Sequence, residues 1–199
     1  MSPSQQCNEC MLNRQCLYTQ IFETLMFRPA PRFLKGLTTA PKPFILYCSD
    51  TREGLPEGSH LEFEITLLGK AIQHFPFLIF AVHEMARGGL GKERFPFRLQ
   101  KVEFQNTEGN YEPLYLGESQ KLIKEPQLLF TPSVPNAHPC HRLQLNFTSP
   151  VRMKFDRELG MEFTFRQLVF KMLRRVLELA YFYVPDADIE WEFHHLLVA

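Results

Sequence analysis

The sequence lacks any imbalance of charge: 22 basic residues stand against 22 acidic ones, so the formal net charge is zero. Binding a polyanion through the whole surface is thereby excluded, and any such binding has to come from a local patch. Long apolar runs are missing as well. Nothing in the sequence approaches the ~18–20 consecutive apolar residues that cross a bilayer, which argues against a transmembrane helix. The opening MSPSQQCNEC has neither the basic nor the apolar region of a signal peptide, so the expected location is the cytoplasm. Cysteine is sparse and odd in number, five in all, and Cys7, Cys10 and Cys16 crowd one end. Without export signals that pattern favours thiols or a metal site over a disulfide framework. Three catalytic signatures are absent too: the G-x-x-x-x-G-K-S/T phosphate loop, the G-x-S-x-G elbow and the H-E-x-x-H zinc helix.

What is present is a chain of 199 residues, enough for one large domain or two small ones. A hydrophobic content of 45% with 22% charge is that of an ordinary globular protein. Fifteen prolines and nineteen phenylalanines point to many turns and an aromatic-rich core.

Residues 1–42 read as a cysteine-containing N-terminal segment followed by a proline-rich linker. A short helix is expected near Leu17–Phe22, and a strand over Pro43–Tyr47. Leu61, Phe63, Ile65 and Leu67 alternate with Glu62, Glu64 and Thr66, which predicts a strand covered on one face. Gly69 then leads into an apolar helix around Pro76–Ala86, which breaks at Gly88-Gly89-Leu90-Gly91 before a second strand expected over Arg94–Phe104. Asn106–Gly109 reads as a turn, and 108–142, with Pro113, Pro126, Pro132, Pro135 and Pro139, as a connection that carries one or two short strands. Leu143, Leu145 and Phe147 alternate, as do Val151, Met153 and Phe155. Over Phe163–Tyr183, Leu168, Val169, Met172, Leu173, Val176, Leu177 and Ala180 form an apolar stripe at helical spacing. The expected fold class is α+β: a ferredoxin-like, RRM-like module over 43–107 and the start of a second over 143–199.

Four groups of residues carry chemistry. The glycine loop Gly88, Gly89 and Gly91, ringed by Arg87, Lys92, Arg94 and Arg98, suits close approach of an RNA phosphate. The same glycines equally suit a helix C-cap and a tight turn. Arg166, Lys171, Arg174 and Arg175 give the last helix a basic face, which can follow a phosphate backbone or simply be solvated. Cys7-x2-Cys10-x5-Cys16 has the close spacing of metal ligands, with Cys48, Cys140 or a histidine as candidates for a fourth position; free thiols are the other reading. Among seven histidines, His138 and His141 beside Arg142 are placed to reach a bound strand. His74 and His83 read as helix residues, and His194 and His195 as terminal ones. No catalytic residue is assigned.

An ordered set of segments covers most of residues 7–183: CNECMLNRQCLYTQIFE, PFILYCSD, LEFEITLLGKAI, ARGGLGKERFPFRL, and FTSPVRMK followed by FRQLVFKMLRRVLELAYFY. On these the chain resembles the CRISPR-associated endoribonucleases that cut precursor guide RNA, within the RAMP superfamily of tandem ferredoxin-like RNA binders. The resemblance implies CRISPR repeat RNA as ligand, other CRISPR-associated proteins as partners, and cleavage by 2′-OH attack without a catalytic metal. It places RNA contacts at Arg87, Gly88, Gly89, Gly91, Lys92, Arg94, Arg98, Arg174 and Arg175, with a structural zinc at Cys7, Cys10 and Cys16 as the one cofactor to consider. Such proteins usually carry a further strand and helix before the cysteine block and close a second domain with another glycine-rich loop. Neither is found here, so an incomplete member is expected. The alternatives are a non-catalytic RNA-binding subunit, a zinc-stabilised protein-interaction module, or a stable core fragment.

Overall fold

The computed structural model describes residues 6–31, 34, 36–123, 142–148, 151–155, 158–160, 162–187 and 189. The chain divides into two compact units, one of residues 1–99 with 171–199, the other of residues 100–170. Both combine helix or turn with small antiparallel sheets, an α+β composition as expected.

In the first unit, a turn of 3-10 helix over Cys7–Glu9 precedes a short helix that widens to a π-helical turn over Thr19–Glu23. Strand β1 (Phe44–Tyr47) pairs antiparallel with β2 (Glu64–Leu67), placing Phe44 opposite Leu67 and Tyr47 opposite Glu64. In β2, Ile65 and Leu67 are half-buried while Glu64 and Thr66 face out, the alternation read from the sequence. Leu61 and Phe63 precede the strand and stay exposed. The 3-10 segment Gly69–His74 then feeds helix α1 (Phe75–Gly88), whose Pro76 lies in the first turn, where its missing N–H leaves nothing unpaired. Ile79 and Ala86 are its buried residues.

Helix α2 (Phe165–Tyr183) starts with a reciprocal cap: the Gln167 N–H donates to Thr164 Oγ1 and the Thr164 N–H donates to Gln167 Oε1, at 3.3 and 2.8 Å. From Lys171 onward it belongs to the first unit. There Leu177 is fully buried, as are Ile21 and Leu34. Two tyrosine hydroxyls strap the proline-rich 24–43 segment to this helix: Tyr181 donates to Pro29 O at 2.9 Å and Tyr183 donates to Pro41 O. The Arg28 guanidinium stacks 3.6 Å above the Tyr181 ring. Gly69, at φ +54, lies so close that a Cβ would sit 2.2 Å from the Tyr183 carbonyl oxygen.

Burial pushes the Tyr183 phenol up to about 12, with Arg175 pulling weakly the other way. An unfolded tyrosine ionises near ~10, so as pH rises the unfolded chain loses its proton first. The contribution to stability is therefore complete below pH ~10 and is lost as pH climbs to about 12. Thermal melts across that window should fall more steeply for the native chain than for Tyr183→Phe. Equal falls would contradict the assignment.

The second unit holds a three-stranded antiparallel sheet of β3 (Lys101–Gln105), β4 (Tyr111–Leu116) and β5 (Lys121–Leu122), in that order. Asn106 organises the β3–β4 turn: its Oδ1 accepts from the Glu108 and Asn110 N–H groups, and Gly109 takes φ +87. A bulge falls between Val102 and Glu103, opposite Tyr115 and Pro113, so Leu114 is the extra residue. Consecutive Leu114 and Tyr115 are consequently both buried. Strands β6 (Met153–Phe155) and β7 (Glu158–Gly160) form a separate antiparallel pair.

Two expected strands differ. The one over Arg94–Phe104 is confined to Lys101–Gln105 and pairs with β4, not with β1 or β2. Pro96 has no N–H to donate, and the Phe97 N–H is taken by Ala86 O at the end of α1, which ties this stretch to the helix. Residues 142–147, where Leu143, Leu145 and Phe147 alternate, join no sheet among the described residues.

Candidate nucleic-acid interface

Helix α1 cannot continue past Gly88 because the next residues take left-handed or otherwise non-helical backbone. Gly89, at φ +81, donates its N–H to Met85 O at 2.9 Å and caps the helix. A Cβ there would meet the Arg94 carbonyl oxygen at 2.1 Å, so only glycine lets the two backbones pass. Leu90 and Phe95 then exchange both hydrogen bonds, at 2.8 and 3.0 Å, and close a four-residue hairpin loop, Gly91-Lys92-Glu93-Arg94. The Arg94 N–H donates to Gly91 O across it. The cap and the tight turn are therefore both present, and Gly89 answers to backbone packing first, whereas a Cβ at Gly88 would meet nothing within 4 Å.

The loop is exposed throughout, and so are Arg87 and Arg98. Arg87 pairs at 3.2 Å with Glu84 one turn earlier, in the last turn of the helix where a cation complements the dipole. Lys92, Arg94 and Arg98 have no ion-pair partner among the described residues, and Glu93 is the one acid within the loop. Arg94 stands at φ +52, the left-handed region, where glycine or asparagine is the unstrained choice. Holding an arginine there costs about 1 kcal/mol or more. The space around Gly91 is open, with nothing within 4 Å of an added Cβ.

Arg174 and Arg175 make a different group. Arg174 Nε lies 3.0 Å from Glu178 Oε1 and Arg175 Nη1 lies 3.7 Å from Glu178 Oε2, and the Glu178 carboxylate is itself buried. Arg174 is thus held inward by its carboxylate, and Arg175 is the more exposed of the two. Among the described residues no hydrogen bond or ion pair links this group to the glycine turn.

Cys7, Cys10 and Cys16 are half-buried and close enough to sense one another. Burial pushes the Cys7 thiol up first, and the Glu23 carboxylate, Cys16 and Cys10 push it further. Among the described residues no group of three or more His, Cys, Asp or Glu side chains is gathered to hold a metal ion. Cys48 instead lies exposed, its Sγ 3.3 Å from Glu62 O, and Cys140 is outside the described residues. His138, His141, His194 and His195 are also outside them. His74 stands at the N-cap position of α1 without a side-chain cap hydrogen bond, and burial pushes its pKa down.

The model of the AF_1859_N family, N-terminal domain, matches residues 1–127, more than half of the 199-residue chain. The chain belongs to the AF_1859_N family. No curated protein and no solved structure matches it. The AF_1859_N match takes in the cysteine block, the β1–β2 pair, α1 and the glycine turn together. No helix among the described residues is long and apolar enough to cross a membrane.

Proposed function

We propose that this chain is an RNA-binding protein of the CRISPR-associated, precursor guide-RNA processing type. In this reading it acts in the cytoplasm on ferredoxin-like modules, with other CRISPR-associated proteins as partners. The observation that carries the reading is the Gly91–Arg94 hairpin loop. It presents uncommitted cations at Lys92 and Arg94 beside Arg98, and holds Arg94 in a backbone conformation that arginine normally avoids. Backbone strain persists where the surroundings over-determine it, and such strain gathers at ligand clamps. An arginine kept there in place of a glycine puts its charge beyond the helix end, on a loop of bare, exposed backbone.

A loop of this kind reads shape and charge. Lys92 donates to phosphate oxygens as a point charge, while Arg94 and Arg98 offer bidentate pairs. The Lys92 and Glu93 N–H groups lie outside both the Leu90–Phe95 exchange and the Arg94–Gly91 bond and are open to an incoming oxygen. Cleavage in this reading needs no metal. The 2′-oxygen gives up its proton and attacks the adjacent phosphorus, the bond to the 5′-oxygen breaks, and that oxygen takes a proton. The products are a 2′,3′-cyclic phosphate and a 5′-hydroxyl.

Labelled repeat RNA incubated with the protein in EDTA should yield that product pair. RNA that is bound but stays intact would leave the non-catalytic binding subunit as the reading, and RNA that is neither bound nor cut would remove both.

A further inference from the structure

A second feature of the first unit lies away from the glycine turn. A cleft of about 540 Å³ is lined by Phe22, Glu23, Thr24, Lys42, Phe44 and Arg175, with Thr39, Ala40 and Pro41 completing its wall. That volume falls within the ~300–1,000 Å³ typical of small-ligand sites. Its chemistry is mixed in a particular way. Two cations, Lys42 and Arg175, come from segments far apart in sequence, against the single carboxylate of Glu23. Two aromatic rings, Phe22 and Phe44, meet edge-on with centroids 5.7 Å apart.

The backbone here is held in uncommon shapes. Thr19–Glu23 is a π-helical turn, a form that recurs at functional sites. It ends at Thr24, a β-branched residue at φ +48, which is an outlier for that side-chain type. Thr24 is locked by a two-way exchange with Ala40: its Oγ1 donates to Ala40 O at 2.7 Å and the Ala40 N–H donates to Thr24 O at 3.1 Å. Lys42 Nζ donates to Phe22 O, which fixes the ammonium across the cleft's edge. Glu23 accepts from the Tyr18 hydroxyl at 3.1 Å. Among the described residues Arg175 makes one ion pair, its long 3.7 Å contact to Glu178, whose carboxylate is already met by Arg174 at 3.0 Å.

We propose that this cleft binds a nucleotide, its base against Phe44 and Phe22 and its phosphate drawn by Lys42 and Arg175, with Glu23 offering an acceptor to a ribose hydroxyl. Base–aromatic stacking tolerates any base because each has a π-face, and a carboxylate accepting from ribose separates ribose from deoxyribose. The nucleotide is either free or one unit of an RNA strand. The strand source rests on the RNA-binding reading above, whereas the cleft chemistry does not.

Calorimetric titration with cytidine 5′-monophosphate tests the cleft, with its 2′-deoxy analogue and inorganic phosphate as comparison arms. The native chain should bind the ribonucleotide at least roughly tenfold more tightly than phosphate, and Arg175→Gln and Lys42→Gln should each weaken it about tenfold with the melting profile kept. If a variant melts early, Phe44→Leu supplies the second reading through loss of stacking at intact charge. Absence of ribonucleotide binding, or binding indifferent to all three variants, overturns the proposal. A parallel titration with repeat RNA separates the sources. RNA bound equally by native chain and Arg175→Gln overturns the strand source and leaves the turn-based reading standing. Ribonucleotide bound through Arg175 with no RNA binding at all confirms the cleft, and it is then the RNA-binding reading that fails.

Discussion

Gly69→Ala should destabilise the first unit by on the order of 3–5 kcal/mol, among the largest single-residue effects expected in this chain. Two costs combine. Gly69 sits at φ +54, which an alanine adopts only with strain, and its new Cβ would lie 2.2 Å from the Tyr183 carbonyl oxygen. No side chain can swing aside, because the obstacle is backbone at the end of α2. Tyr183 is itself pinned to Pro41 by its hydroxyl, so the helix end cannot retreat without releasing the proline-rich strap. Chemical denaturation of the variant should show a midpoint shift at unchanged slope, with Gly54→Ala as a control in open space. A shift of less than about 1 kcal/mol would mean that α2 does not pack on the strand-to-helix turn as described.

Charge reversal at the glycine turn is expected to have the largest effect on binding. Lys92→Glu with Arg94→Glu removes two phosphate contacts and puts two carboxylates in their place, beside the existing Glu93. Affinity for repeat RNA should drop by at least roughly a hundredfold at low salt, and each lost contact should reduce the salt slope by ~1. Stability should hold, because neither side chain has an ion-pair partner among the described residues. Gly91→Ala sharpens the comparison. It meets no atom within 4 Å but carries φ +77, so it costs stability modestly and perturbs the loop backbone without changing charge. Unchanged affinity in the double reversal would reduce the loop to a helix cap.

The helices were legible because their signals are local. The stripe from Leu168 to Ala180 and the Thr164/Gln167 pair announce α2, and Pro76 and Gly89 bracket α1. Strand β2 was legible from alternation alone, and the Asn106–Gly109 turn from its turn chemistry. One or two short strands are expected within the 108–142 connection and β4 and β5 lie there, but the bounds of β4 were not legible, since Pro113 argues against a strand and the bulge makes Leu114 and Tyr115 consecutive buried residues. The pairing of Lys101–Gln105 with β4 is a choice between partners distant in sequence, which no residue pattern within the strand declares. Of the site residues, the glycine turn is where the sequence places it, with its cations exposed. Cysteine spacing suggests a ligand set; among the described residues no group of three or more ligands is gathered, and Cys140, His138 and His141 lie outside those residues. The Phe22–Lys42–Arg175 cleft carries no motif at all, because it is assembled by the tyrosine strap. A left-handed Thr24 or Arg94 is likewise a conformation that residue type would not suggest.

The central claim is that the Gly91–Arg94 loop and Arg98 receive polynucleotide phosphate. Measuring the affinity for single-stranded repeat RNA as a function of salt addresses it most directly. Three phosphate contacts predict that the logarithm of the binding constant falls with that of salt at a slope near −2. No binding, or binding with a slope near zero, would contradict the account.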